Sequence, residues 1–307
     1  MLATLRLLPP PRRGGIAVAI VAAAAVALLV VAAAQPVLTR SQSRPIRTDA
    51  ELFVVLDTSR SMKASESPSS PTRLAQAIRF AIRLRAALPE IPAGIASFTD
   101  RILPHLLPTS DLSTFATTLH QAVGINRPPP EHHEPVATSY SLLTELPDGG
   151  SFSPRARRRL LILLTDGESQ PYSPRMVAES LQHTRAGLLI ARFWGPRDRI
   201  FARNVDTGYR PTLASTGPLA ELAAHSVGGH VFSPADVAAA AAVARRFFGA
   251  GPTTTTAVHR TTIPLAPWVA LLSLLPAGVV LSRRGGSMRP RLEWRREDST
   301  SAQSMPS

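Results

Sequence analysis

Cysteine is absent from the 307 residues, which removes disulfide frameworks, thiolate metal sites, iron–sulfur clusters and cysteine nucleophiles together. Lysine is nearly absent as well: of 34 basic residues only Lys63 is not arginine. The chain is also rich in Ala and Pro, a bias that GC-rich codons produce by themselves, so the arginine excess carries little functional information. No phosphate loop of GxxxxGKS/T form, no GxSxG elbow and no HExxH pair occurs, and with them go the commonest routes to nucleotide hydrolysis, acyl transfer and zinc proteolysis. Any chemistry here falls to oxygen or imidazole groups.

What is present is a chain long enough for one or two domains with a full-sized core. Its formal charge of +13 is unevenly placed. Residues 1–14 carry 3 Arg and no acid, residues 35–262 carry 25 basic and 18 acidic groups, and residues 282–307 carry 6 and 3. The middle is close to ordinary and both ends are basic. Residues 15–34 are twenty positions without a charged or hydrogen-bonding side chain, the length of helix that crosses a bilayer's hydrocarbon core. Ala32, Ala33 and Ala34 before Gln35 resemble a signal-peptidase site, so this segment reads as a retained anchor or as a cleaved leader. Residues 263–281 are a second apolar run of nineteen, interrupted by Pro264, Pro267 and Pro276, and a kinked or partly unwound span is expected there. Arg6, Arg12 and Arg13 before the first run are balanced by Arg40, Arg44 and Arg47 after it. Six Arg after the second run, against Arg260 before it, place the tail of residues 282–307 in the cytoplasm. Two crossings put residues 1–14 there too, with the middle domain outside the cell membrane.

Between linkers at 35–49 and 251–262, residues 50–250 alternate short β-branched runs with helical periodicity. Strands are expected at 51–56, 93–98, 102–107, 160–164, 188–194 and 230–232, and helices at 72–88, from Asp111 to about 123, and at 139–146, 174–185, 218–226 and 234–248. Residues 124–136 read as a loop. The alternation implies an α/β domain, a doubly wound, mostly parallel sheet with helices on both faces. The whole chain is then that domain flanked by two transmembrane helices.

Two motifs stand where such a sheet binds ligands, outside the carboxyl ends of strands. Asp57-Thr58-Ser59-Arg60-Ser61 follows the first strand, and Thr165-Asp166-Gly167-Glu168 follows the strand at 160–164. If those strands are neighbours where the winding reverses, Asp57, Ser59, Ser61 and Asp166 converge on one crevice. Hydroxyls and carboxylates without imidazole or thiolate suit a hard cation, Mg²⁺ or Mn²⁺, that keeps some of its waters. Two further clusters read as solvated surface: Glu131, His132, His133 and Glu134 in a proline-flanked loop, and Arg155, Arg157, Arg158 and Arg159 before a strand. No aromatic interleaving accompanies the arginines, so nucleic acid is not an expected partner.

The run DTSRSM after an apolar strand, a Thr about 80 residues on, and LLTDG after another apolar strand resemble a von Willebrand factor A domain with its metal-ion-dependent adhesion site. The resemblance covers about residues 48–250. It includes Ala96-Ser97-Phe98-Thr99-Asp100, Glu221-Leu222-Ala223 and Gly228-Gly229-His230-Val231-Phe232. It implies a Rossmann-like fold and a site in which Ser59 and Ser61 bind the ion through their hydroxyls and Thr138 adds another oxygen, with Ser139 and Ser141 as neighbouring alternatives. Asp57 and Asp166 would bind directly or through water, and one coordination position would stay open for an acidic residue of a partner protein. The order of span, A domain and span resembles bacterial membrane proteins related to the aerotolerance-operon family, which implies envelope assembly or stress tolerance with a MoxR-type AAA+ ATPase as partner. The expectation is a membrane-anchored binding module and not an enzyme. A metal-dependent hydrolase or phosphatase at the same site and a surface adhesin are the alternatives; the first lacks a general base, since Lys63 is the one His or Lys beside either motif.

Overall fold

The computed structural model describes residues 13–129 and 138–285. The cluster from Glu131 to Glu134, the first twelve residues and most of the basic tail lie outside the described residues. The chain divides into two compact units, Ser41–Arg260 and the pair of segments Met1–Arg40 and Thr261–Ser307.

In the second unit, α1 (Arg13–Ala33) and α8 (Ala266–Gly285) pack on each other. Ile16, Ile20, Leu29 and Val30 of α1 and Leu271, Leu274 and Leu275 of α8 are exposed. Among the described residues, one stretch, Ile16–Ala33, with a mean hydropathy of 3.0, is long and apolar enough to cross a membrane. The apolar part of α8, Ala266–Ser282, is shorter. The expected kinked span is a helix that begins at Ala266 and runs on through Pro276. The other two prolines do not interrupt it: Pro264 ends the strand before α8, and Pro267 sits in the first turn, where an N–H has no helical partner to lose.

The segments expected as linkers are strands. β1 (Val37–Arg47) and β10 (Thr253–Pro264) pair in a two-stranded sheet. Thr253 to Thr256, Val258, Thr261, Thr262 and Ile263 are β-branched, a composition that favours extended pairing over a solvated coil.

The larger unit is built on β2 (Ala50–Asp57), β3 (Ala93–Phe98), β4 (Ile102–Thr109), β5 (Arg158–Thr165), β6 (Ala186–Arg192) and β9 (Val231–Phe232). They form one sheet in the order β4-β3-β2-β5-β6-β9. All neighbours are parallel except β4, which returns antiparallel to β3 as the Thr99-Asp100 turn implied. Along β2 the side chains alternate between two cores. Leu52, Val54 and Leu56 meet α2 (Arg73–Ala87), α3 (Leu112–Ala122) and α7 (Val237–Phe248) through residues such as Phe80, Phe115 and Phe248. Phe53 and Val55 meet the opposite layer. That layer comprises a 3₁₀ turn at Tyr140–Thr144 running into α4 (Glu145–Asp148), α5 (Pro174–His183) and α6 (Thr216–His225), through Tyr140, Leu181 and Leu222. The single helix expected over 139–146 is this tighter turn. Between β6 and α6 lies a segment that sequence periodicity left unassigned, containing the hairpin β7 (Phe201–Ala202) and β8 (Val205–Asp206). Its turn residues Arg203 and Asn204 both have positive φ, the backbone that a two-residue hairpin turn requires.

Candidate metal centre

From β2 the chain proceeds to β3 and β4 on one side, and from β5 to β6 and β9 on the other, so the winding reverses between β2 and β5. These two strands are hydrogen-bonded in register, Leu56 beside Leu164. Asp57 and Asp166 therefore emerge side by side at the carboxyl edge, both fully buried.

Each motif is fixed by its own backbone. The Ser59 N–H donates to Asp57 Oδ1 at 2.9 Å, and the Glu168 N–H donates to Asp166 Oδ1 at 2.9 Å, the local turn that Asp favours at a strand end. Thr165 joins the strands: its hydroxyl donates to Asp57 Oδ2 at 2.7 Å while its oxygen accepts from the Gly167 N–H at 3.0 Å. With that proton committed, the buried Tyr140 hydroxyl donates to Thr165 Oγ1, 2.8 Å away. Gly167 has φ +95, a backbone that favours glycine, and a Cβ there would also press on the Leu219 side chain at 2.5 Å.

The hydroxyls complete the group. Ser59 Oγ and Ser61 Oγ stand 3.0 Å apart, carried by the 3₁₀ turn Arg60–Lys63. Thr138 is held by its backbone, its carbonyl accepting from the Gln170 N–H at 2.8 Å, while the next residue's N–H donates to the Thr99 carbonyl at 3.1 Å. The Thr138 side chain is fully buried and its Oγ1 has no hydrogen-bond partner. A buried hydroxyl of this kind is uncommon, and an ion or an ordered water accounts for it. Ser139 and Ser141 bond to each other at 2.8 Å instead.

The charges are unusual for a protein interior. Burial, and then the charge of Asp166, push the Asp57 carboxyl up to about 7. Burial and Asp166 likewise raise Glu168, which accepts from the Tyr209 hydroxyl at 2.5 Å. Sequence reasoning missed the group's counter-ion. Arg73, 1% exposed, donates from Nη1 to Asp166 Oδ2 at 2.8 Å and from Nε to Asp198 Oδ2 at 2.8 Å. Its Nη1 also reaches Tyr209 Oη at 2.9 Å. Burial opposes the guanidinium charge, but Asp166, Tyr209 and Asp198 outweigh it and hold Arg73 protonated. No local pattern marks Arg73, which reads as one more basic residue at a helix start. Asp198 and Tyr209 come from the unassigned segment.

Among the described residues no group of three His, Asp or Glu side chains is placed to hold a metal. A cation at this edge therefore depends on the hydroxyls, and the donor set of two carboxylates and three hydroxyls, one of them without a partner, fits a hard divalent ion. The fold and site together define a class: doubly wound α/β domains that present a hard-oxygen constellation at the switch point. Residues 52–168 match the family model of the von Willebrand factor type A domain, and the middle of this chain is a domain of that family. No curated protein matches the chain. Among solved structures, the conserved hypothetical protein BatB from Bacteroides thetaiotaomicron is similar in fold, with a TM-score of 0.52 and 20% identity over 65% of this chain and 98% of that one. An aerotolerance-related membrane protein from Bacteroides fragilis, solved with multiple mutations to serines, gives 0.51 and 19% over the same shares.

Proposed function

We propose that the chain is a membrane-anchored, outward-facing binding module whose A domain captures partner proteins through a divalent ion, Mg²⁺ or Mn²⁺. In this reading Ser59, Ser61 and Thr138 give hydroxyl oxygens, and Asp57 and Asp166 give carboxylate charge directly or through water. A bound ion would supply an electrophilic position for an acidic side chain of the partner. The chain's own residues do the rest. Thr165 and the Ser59 N–H orient Asp57, Arg73 and the Glu168 N–H orient Asp166, and burial keeps water from competing for the carboxylates. The observation that carries the reading is the pair of serine hydroxyls held at the buried Asp57 turn, supported by the buried Thr138 hydroxyl that has no hydrogen-bond partner. Binding is favoured over hydrolysis because the carboxylates that could accept a proton are committed, Asp57 to the Thr165 hydroxyl and the Ser59 N–H and Glu168 to the Tyr209 hydroxyl, and Lys63 is exposed at the end of its turn. The fold likeness to an aerotolerance-related membrane protein supports a role in envelope assembly or stress tolerance, with a MoxR-type AAA+ ATPase as candidate partner.

The test uses the purified full chain. Titration with Mg²⁺ or Mn²⁺ should reveal one site, and Ser59→Ala with Ser61→Ala should weaken it at least about tenfold although no charge changes, because neutral oxygen ligands are lost. Partner capture from membranes should disappear in EDTA and survive moderate salt, which screens surface attraction but not coordination. Capture that persists in EDTA and vanishes in salt would replace the metal reading with a basic-patch interaction centred on Arg155 to Arg159.

A further inference from the structure

Both oxygens of Asp166 are already engaged within the chain, Oδ1 by the Glu168 N–H and Oδ2 by Arg73. Among the described residues no ion pair is more buried than Arg73–Asp166, with side chains 1% and 0% exposed. Arginine does not lose its proton in proteins, so this charge is permanent. Nor is the side chain free to withdraw. Asp198 grips Nε, Tyr209 contacts Nη1, and the Tyr209 ring lies 5.7 Å from the guanidinium carbon. Both anchors belong to the segment between β6 and α6, which is tied back to the first motif's loop by the paired backbones of Ser65 and Arg199. A divalent ion drawing on Asp166 therefore meets a fixed positive charge on the same carboxylate.

We propose that Arg73 is the site's built-in cation: it neutralises Asp166 when no metal is bound, and it keeps divalent-ion affinity low until an anionic partner arrives. The inference rests on the metal reading above and adds a consequence to it. Without metal, two buried carboxylates beside each other need a counter-charge, and removing one partner of a buried ion pair is strongly destabilising. With metal, Arg73 still holds Oδ2 of Asp166 and so leaves less of that carboxylate's charge to the ion, and a partner carboxylate supplies what Asp166 does not. Ion and partner then bind cooperatively, each raising the other's affinity by the same factor. Arg73 is a positioning residue in this scheme and does not touch the partner.

The experiment titrates the full chain, Arg73→Met and Arg73→Lys with Mn²⁺, reading free Mn²⁺ by electron paramagnetic resonance, and follows thermal unfolding in EDTA and in excess Mg²⁺. Arg73→Met, which keeps most of the stem and loses the charge, should bind Mn²⁺ about tenfold or more tightly, by the Coulomb energy of a nearby like charge. It should unfold earlier in EDTA and gain more from Mg²⁺ than the unaltered chain does. Arg73→Lys keeps the charge and should stay near the unaltered affinity. A further measurement needs no variant to fold: acetate, as a carboxylate probe, should tighten Mn²⁺ binding to the unaltered chain after correction for manganese acetate in the buffer. Unchanged or weaker Mn²⁺ binding in Arg73→Met, or indifference to acetate, overturns the role of Arg73 while the metal site stands. Absence of binding in the unaltered chain and the variant alike removes the metal site itself.

Discussion

Asp57 carries a conflict that can be measured. It is fully buried beside a second carboxylate, and its carboxyl is pushed from 3.8 to about 7, first by burial and then by Asp166. A folded value above the unfolded one means that the folded chain holds the proton more tightly. Asp57's contribution to the stability of the metal-free chain is then fully present at low pH and is lost as pH rises from about 4 to about 7. The melting temperature in EDTA should fall across that window, and Asp57→Asn, which cannot ionise, should flatten the dependence while abolishing metal binding. An unchanged pH slope in the Asn variant would mean that another group titrates. Ser59 and Ser61 present the complementary case, neutral oxygens whose loss tests coordination without disturbing this balance.

At the scale of elements, the site is only as well placed as the strands and helix that carry it. The helix α2, which delivers Arg73, begins at Thr72, whose hydroxyl accepts from the Ala75 N–H at 3.2 Å; Thr72→Ala should cost about 1 kcal/mol. Gly94 in β3 lies against the face of Phe53 in β2, so close that a Cβ would come within 2.5 Å of the ring. That ring is itself fixed by Phe152 at 5.0 Å, edge to face. Gly94→Ala forces repacking in the sheet behind Asp57 and should cost about 1–3 kcal/mol. Urea unfolding of both variants checks the order, and a Gly94→Ala change milder than Thr72→Ala would contradict this account of the packing. These elements were largely legible in the sequence. The apolar run at 51–56 and the periodicity of 72–88 are local signals, and the two Asp motifs follow apolar strands that the fold makes neighbours. The Asp111 cap and the Thr99-Asp100 turn are local for the same reason. Legibility ended where partners are distant. Arg73 meets Asp166 across 93 residues and Asp198 across 125, and no spacing rule reaches so far. The pairing of β1 with β10 fails on the same ground, since a threonine-rich stretch reads as linker until its partner strand is known.

For the whole molecule, the charge distribution makes a claim about sides of a membrane. The A domain has a complete two-faced core within Ser41–Arg260, while Ile16–Ala33 has the length and hydropathy of a membrane helix. Three Arg on each side of that helix give it no preferred direction. Direction comes from the other end, where Arg283, Arg284, Arg289, Arg291, Arg295 and Arg296 follow the apolar part of α8 and Arg260 alone precedes it. Arginine is retained on the cytoplasmic side of short flanks. We expect the domain outside and residues 282–307 inside, and this holds even if the first segment is removed at Ala34, because α8 then anchors the chain alone. The shorter apolar stretch of α8 makes it the weaker span, and the experiment bears on it directly. A reporter active only outside the cytoplasm should be active when fused after residue 250 and silent after Ser307. Activity at both positions would show that α8 does not cross, leaving Ile16–Ala33 as the anchor, and silence after residue 250 with activity after Ser307 would reverse the assignment. Mass spectrometry of the mature amino terminus separates the remaining cases, since a chain beginning at Gln35 has lost the first helix and must depend on α8.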